Sequence, residues 1–280
     1  VISTLPELRF RRLAKTMSFW YISYMEMEKV TFKNAQGLNI VGVLHWPNSS
    51  PPYPLVVYFH GFGGTKESGK DFSQILNLLE IATFCIDFQG SGESEGRYED
   101  KTITGFLDDA QSAIDYVYSL PKVNKSKIGI TGHSIGAAVA TLQAARDSRI
   151  TALAVSSPAV KTGEAIANLY EQNDFKMAQE KGHVELMKYG ERKRLNYTFF
   201  EDAERYDVAK EASSIPYAFL VIGAKQDSVV PFKQIEGFSE SIKNAQLLVL
   251  PRSDHNLKKE WPLVEKAFSS WFSQWLQGLT

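Results

Sequence analysis

Cysteine is nearly absent: Cys85 is the single one in 280 residues, set inside the apolar run IATFCID. One thiol excludes an intrachain disulfide framework, and a lone thiol in such a run fills core space. A reducing compartment is then the default, so the expected location is cytoplasmic. An excess of charge of one sign is also lacking. Lys and Arg total 31 against 32 Asp and Glu, for a formal net charge of −1. No global field therefore draws the chain to nucleic acid or to an anionic bilayer. No apolar run approaches the roughly 20 residues that cross a membrane, so no transmembrane segment is expected. Internal repeats, low-complexity stretches, an H-E-x-x-H pair and clustered Cys/His are all missing, and the expectation is no metal and no organic cofactor.

What is present begins with an unusual arm. LRFRRLAKTMSFWYISYM places Arg9, Arg11, Arg12 and Lys15 before a short aromatic stretch. It lacks the small-residue cleavage pattern of a signal peptide. Residues 1–26 read as a vector-derived or upstream-translated extension, with a native amphipathic arm as the alternative. Residues 27–280 read as one α/β domain.

Within that domain EKVTFKNAQGLNIVGVLHWP reads as an antiparallel hairpin turning at Asn34–Gly37. Six buried strands follow it: PLVVYFHG, IATFCIDF, KIGIT, ITALAVSS, YAFLVIG and QLLVLP. Helical patterns separate them. One carries Phe72, Ile75, Leu76 and Leu79 on a single face. The clearest carries Phe106, Ala110, Ala113, Ile114 and Val117, with Asp108, Asp109 and Asp115 on other faces. The last, Pro262 to Gln277, places Val264, Phe268, Trp271, Phe272 and Trp275 on a buried face. Alternation of this kind predicts a mostly parallel central sheet with helices on both faces and an antiparallel N-terminal hairpin. From about 160 to 214 the alternation stops and Lys, Glu and Arg become dense. This stretch reads as a lid insertion over the carboxyl end of the sheet, with helices over EAIANLYEQ and TFFEDAERYD and a small hairpin over HVELMKYGERKRLNY.

Gly132-His133-Ser134-Ile135-Gly136 stands between a strand and an alanine-rich helix. G-x-S-x-G in that setting is the nucleophile elbow of the α/β-hydrolases, a strained turn that lifts the serine hydroxyl to the sheet's edge. The five-residue pattern alone is weak, and a tight turn would explain it. A serine nucleophile needs a base and an orienting acid. Of five histidines, His45 lies in the hairpin, His60 supports a glycine loop, His133 points away from the hydroxyl and His183 is in the insertion. His255, in the loop PRSDHN between the last strand and last helix, remains. Asp227 in GAKQDSVVP follows the preceding strand and completes the order Ser, Asp, His. Asp254 adjoins the base but faces away from it, and Asp202 and Asp207 lie in or near the insertion. The glycine loop His60–Gly64 and the residue after the serine are placed to supply oxyanion donors, the backbone N–H groups of Phe62 and Ile135. Asp87–Gly96, DFQGSGESEG, lacks the lysine and spacing of a phosphate-binding loop and reads as a turn-rich loop near the site entrance.

Together, HGFGGTKES, CIDFQGSGESEG, GHSIGA, GAKQDSVVP and the late SDH resemble serine carboxylesterases of the α/β-hydrolase superfamily, bacterial feruloyl (cinnamoyl) esterases in particular. The resemblance runs from Met27 to the C-terminus. It implies Ser134, Asp227 and His255 as a triad, the Phe62 and Ile135 amides as an oxyanion hole, and a lid that shapes the pocket. It departs from that group at Ile135, where many feruloyl esterases carry glutamine, and throughout the insertion. The expected partner is a small-molecule ester with a short-chain or aryl acyl group, and a homodimer is compatible with it. Thioesterase, lipase and amidase or acylaminopeptidase-like activities share the same triad. A non-catalytic binding protein is the reading from another class, and an intact Ser, Asp and His in order argues against it.

Overall fold

The segments Glu26–Lys33 and Asn39–Trp46 pair antiparallel, from Glu26 with Trp46 to Lys33 with Asn39. The computed structural model describes residues 26–170, 175–188 and 191–279, with backbone alone at 186–188, 191 and 192. The expected extension therefore lies outside the described residues, except Glu26. In chain order the elements are β1 (Glu26–Lys33), β2 (Asn39–Trp46), β3 (Tyr53–Phe59), α1 (Lys70–Leu78), β4 (Ala82–Ile86), α2 (Ile103–Ser119), β5 (Val123–His133), α3 (Ile135–Arg146) and β6 (Ile150–Ser156). The insertion supplies α4 (Thr162–Ala167), α5 (Ala178–Lys181), β7 (His183–Lys188), β8 (Glu191–Asn196), α6 (Thr198–Ala203) and α7 (Val208–Ala212). The chain then returns through β9 (Phe219–Ala224), α8 (Phe232–Ser241), β10 (Ala245–Leu250) and α9 (Trp261–Phe272).

The main sheet has eight strands in the order β1-β2-β4-β3-β5-β6-β9-β10. β2 alone runs against the others, pairing antiparallel with β1 on one side and β4 on the other, and every pair from β4 to β10 is parallel. The six apolar runs form the six parallel strands. β4 and β9 are buried at every residue, as parallel strands covered on both faces must be. Side chains alternate between two cores. Leu55, Val57, Ile130 and Leu153 face α2, α3 and α8, while Val56, Ala152, Ala154 and Ile222 face Phe72 and Leu76 of α1 and Val264, Phe268 and Phe272 of α9. The charged sequence of β1, EMEKVTFK, suits its place at the sheet's outer edge, where lysine and glutamate discourage further pairing.

Two residues depart from the faces their spacing predicts. Asp109 of α2 is fully buried, although it was expected away from the core. Its Oδ1 accepts the Asn34 amide at 2.8 Å and its Oδ2 accepts the Gln89 N–H at 2.7 Å. A charged residue between apolar positions can thus face inward when donors from distant segments meet it. Trp275 is 38% exposed and Leu276 is buried in its place. After Phe272 the chain widens into a π turn over Ser273–Gln277, which delays the buried face by one residue.

The insertion forms the expected hairpin, β7 with β8 from His183 with Asn196 to Lys188 with Glu191; its turn residues, Tyr189 and Gly190, lie outside the described residues. The helix expected over EAIANLYEQ is shorter, ending at Ala167, with Glu171 and Gln172 outside the described residues, and α5 and α7 have no counterpart in the sequence reading. The insertion touches loops at the carboxyl ends of three strands. Phe199 stacks edge-on against Phe62, Asn196 donates to Asp100 at 2.8 Å, and Asn168 donates to the Val229 carbonyl at 3.0 Å.

Candidate active site

β5 ends at His133 and α3 begins at Ile135, which leaves Ser134 alone on the turn at φ 57° and ψ −119°. A non-glycine residue avoids positive φ unless its surroundings impose it. Here they do. The Ser134 N–H donates to the Ser156 carbonyl at 3.0 Å, and the Ser134 carbonyl accepts from Ala137, Ala138 and Ala159. The flanking glycines let α3 start this close to the sheet. A Cβ on Gly132 would stand 2.3 Å from the Gly136 carbonyl oxygen, and one on Gly136 would stand 2.1 Å from that of Phe59.

Asp227 lies in the loop after β9, where its Oδ1 accepts the N–H groups of Val229 at 2.9 Å and Val230 at 2.8 Å. Its Oδ2 meets His255 Nδ1 at 2.8 Å. Burial opposes the charge on this carboxyl, but the hydrogen bond and charge of His255, with the two amides, outweigh it and hold the group below its usual range. An ionised Asp227 can only accept, so the bonded ring nitrogen is the N–H and the lone pair of His255 is left on Nε2. The loop that carries His255 is braced from behind by buried Glu260, whose Oε2 takes the Arg252 N–H and the Ser253 hydroxyl, both at 2.9 Å. Asp254 is exposed and accepts the Asn256 N–H at 3.0 Å. Asp202 binds Thr104, and Asp207 caps α7 through the Lys210 N–H.

Asp227 and His255 are thus joined directly, and the residue before Ser134 packs against the base. The ring of His133 lies 4.8 Å from that of His255, centroid to centroid, and its Nδ1 is 3.1 Å from the Ser156 hydroxyl. Burial and the nearby charge of His255 push His133 down to about 3, so it is a neutral ring at any working pH. His133 also lines a cavity of about 530 Å³ behind the turn, with Tyr58, Phe72 and Trp261. The spacing placed His133 away from the hydroxyl; it carried no sign of this contact with the base.

The proposed donors flank the turn. Ile135 opens α3, whose first amides have no partner within the helix. Phe62 sits in the loop after β3, which is packed on the turn: a Cβ on Gly61 would come 3.5 Å from Ser134 Cβ. His60 holds this loop, with Nδ1 2.7 Å from the Gly61 carbonyl and Nε2 accepting the Phe88 N–H at 3.1 Å. The glycine-rich loop after β4 closes on its own acid. Buried Asp87 accepts Lys66 Nζ at 2.8 Å, the Lys66 N–H at 2.6 Å and the Glu93 N–H at 2.9 Å. A carboxylate at its centre makes this loop unsuited to phosphate.

Residues 50–181 match the family model described as serine aminopeptidase, S33. A structure of Est1E from Butyrivibrio proteoclasticus with ferulic acid bound superposes with a TM-score of 0.78 at 26% identity, covering 89% of this chain and 99% of that one. The chain has the α/β-hydrolase fold. The α/β hydrolase GrgF from Penicillium sp. sh18 has a similar fold, with a TM-score of 0.77 at 16% identity over 90% of this chain and 99% of that one. Among curated proteins, bem46 of Schizosaccharomyces pombe is 28% identical over 149 residues, 52% of this chain and 49% of that protein. The chain spans about half or less of the length of the curated relatives it matches first.

Proposed function

We propose that this α/β-hydrolase cleaves carboxylic esters, with short-chain or aryl acids of the cinnamoyl type as the acyl group. The observation that carries the reading is the Asp227–His255 hydrogen bond of 2.8 Å, held beside a serine in a strained strand-to-helix turn. The ferulate-bound Est1E structure supports the aryl preference. In the reaction, Ser134 Oγ attacks the ester carbonyl carbon while His255 Nε2 takes its proton. Asp227 holds the imidazole in the required tautomer and stabilises the imidazolium. The Phe62 and Ile135 amides receive the negative charge that develops on the carbonyl oxygen. Collapse of the tetrahedral intermediate breaks the bond to the alcohol oxygen, which takes the proton from His255. Water, deprotonated by the same ring, then releases the acid from Ser134. The insertion between β6 and β9 is a lid that shapes the pocket, and its lysine, arginine and glutamate content suits compact acyl groups better than long lipid chains.

A second reading, cleavage of amides by the same groups, is favoured by the description of the matching family model. A panel of p-nitrophenyl esters from acetate to palmitate, with methyl ferulate and aminoacyl p-nitroanilides, separates the two. Short-chain or cinnamoyl esters should turn over fastest, and Ser134→Ala should lose roughly 10⁴-fold in kcat or more. A Ser134→Ala protein as active as wild type would remove the nucleophile and the reading with it.

A further inference from the structure

Lys101 is 1% exposed, although it follows the polar stretch RYED and nothing in its spacing marks it as internal. Its Nζ lies 4.1 Å from the centre of the Tyr98 ring and 5.3 Å from that of Phe62, and it reaches the Phe62 carbonyl oxygen at 3.4 Å. A buried ammonium is costly unless such groups receive it, and aromatic faces hold a cation most strongly away from water. These three contacts converge on Phe62 or on the ring beside it. Phe62 stacks edge-on against Tyr98 at 5.7 Å and against Phe199 of the insertion at 5.3 Å.

We propose that Lys101 is a positioning residue that fixes Phe62, the residue whose N–H is the oxyanion donor, and couples it to the insertion. The inference rests on the serine-hydrolase reading above. Phe62 can serve only if its N–H keeps one direction, and that direction is set by the torsions of a glycine-rich loop. A cation on the carbonyl of the same residue, with the ring clamped between Tyr98 and Phe199, removes that freedom before substrate arrives. The positive charge also lies beside the residue whose N–H must meet a developing negative charge, and it is in place before the reaction begins. The segment carrying Lys101 is fastened to the insertion on both sides. Asp100 accepts from Asn196 at 2.8 Å, and Thr104 donates to Asp202 from its N–H at 2.8 Å and its hydroxyl at 2.6 Å. Displacing the insertion would therefore disturb the donor, and filling the site would be felt in the insertion.

The test compares wild type with Lys101→Met and Lys101→Arg on p-nitrophenyl butyrate, and measures inhibition by an alkyl trifluoromethyl ketone, whose serine adduct carries an oxyanion. Lys101→Met should lower kcat by roughly ten- to a hundredfold with KM within about twofold, and weaken the ketone by a similar factor. Lys101→Arg, which keeps the charge over the rings, should recover part of both. Should the methionine protein fail to fold, Tyr98→Leu, at a half-buried position, removes one ring from under the ammonium and is read in the same way. Wild type that neither hydrolyses the ester nor binds the ketone would refute the serine-hydrolase reading itself. An active wild type with Lys101→Met unchanged in kcat and ketone affinity, or changed only in KM, would overturn the role of Lys101 alone.

Discussion

Replacing Gly136 by alanine tests how the turn is built. The added Cβ would lie 2.1 Å from the Phe59 carbonyl oxygen and 2.6 Å from that of His60, whereas ordinary contact begins at 3.4 Å. Both obstacles are backbone, so no side chain can swing aside; the end of β3 and the start of α3 must part by about 1 Å. Overpacking that side chains can absorb costs about 1–3 kcal/mol. With rigid backbone on both sides, a loss of about 3 kcal/mol or more is expected. For a chain of this size that lowers the melting temperature by roughly 10 °C. The end of β3 also leads into Gly61 and Phe62, and a shift of about 1 Å at a reacting group costs on the order of a hundredfold in rate. Melting followed by circular dichroism, with kcat on a p-nitrophenyl ester at 20 °C, reads both effects. Gly163→Ala is the control. Its Cβ would meet Ala203 Cβ at an ordinary 3.9 Å, inside α4, where alanine gains about 0.5–1 kcal/mol over glycine. If Gly136→Ala melted within 2 °C of wild type and kept half its kcat, the tight turn would not be what positions Ser134.

Asp227→Asn should keep the fold but lose roughly 10³- to 10⁴-fold in kcat, since a neutral amide no longer fixes the His255 tautomer or its charge; the wild-type rate in this variant would exclude Asp227 as the acid. His133→Ala should reduce kcat/KM about tenfold by leaving the His255 ring without its neighbour, and His133→Phe should restore most of it, because the ring and not its nitrogen makes the contact; equal loss in both would assign the role to the hydrogen bond with Ser156. Asp109 is pushed up to about 7, chiefly by burial, from a usual 3.8. Its folded form holds a proton that the unfolded form has released between those values, so its contribution to stability is present below about pH 4 and is lost as pH rises through 7. His133 and His45, pushed down to about 3 and about 4, act in the opposite sense over much of the same range. The difference between Asp109→Asn and wild type isolates the aspartate. The variant should gain roughly 4 kcal/mol relative to wild type between pH 4 and pH 8 in urea titrations; a flat difference would show that Asp109 stays ionised.

The sheet was legible because burial on both faces leaves unbroken apolar strands, and the proposed triad because its members must follow particular strands in order. The same reasoning could not reach contacts made across the chain. Asp109 is buried where Asn34 and Gln89 donate to it, and only the folded sheet brings those donors together. Lys101 looks like a surface residue until Tyr98 and Phe62 close over it. His133 occupies the position the nucleophile motif leaves open, so the motif itself gives no hint of its contact with His255. Trp275 was misassigned because a count of 3.6 residues per turn fails once a helix ends in a π turn.

The Ser134 carbonyl accepts three amides, two from the first turn of α3 and one from Ala159, where the chain leaves β6 for the insertion. The insertion is therefore pegged to the nucleophile's own peptide at its point of departure, while the sequence beyond is free to diverge. An exchange of this segment with that of a relative should join after position 159, where Ala159 is fully buried, so the residue there must be small and carry an amide hydrogen. Proline will not serve, because it would withdraw one of the bonds that keep the serine in its strained turn.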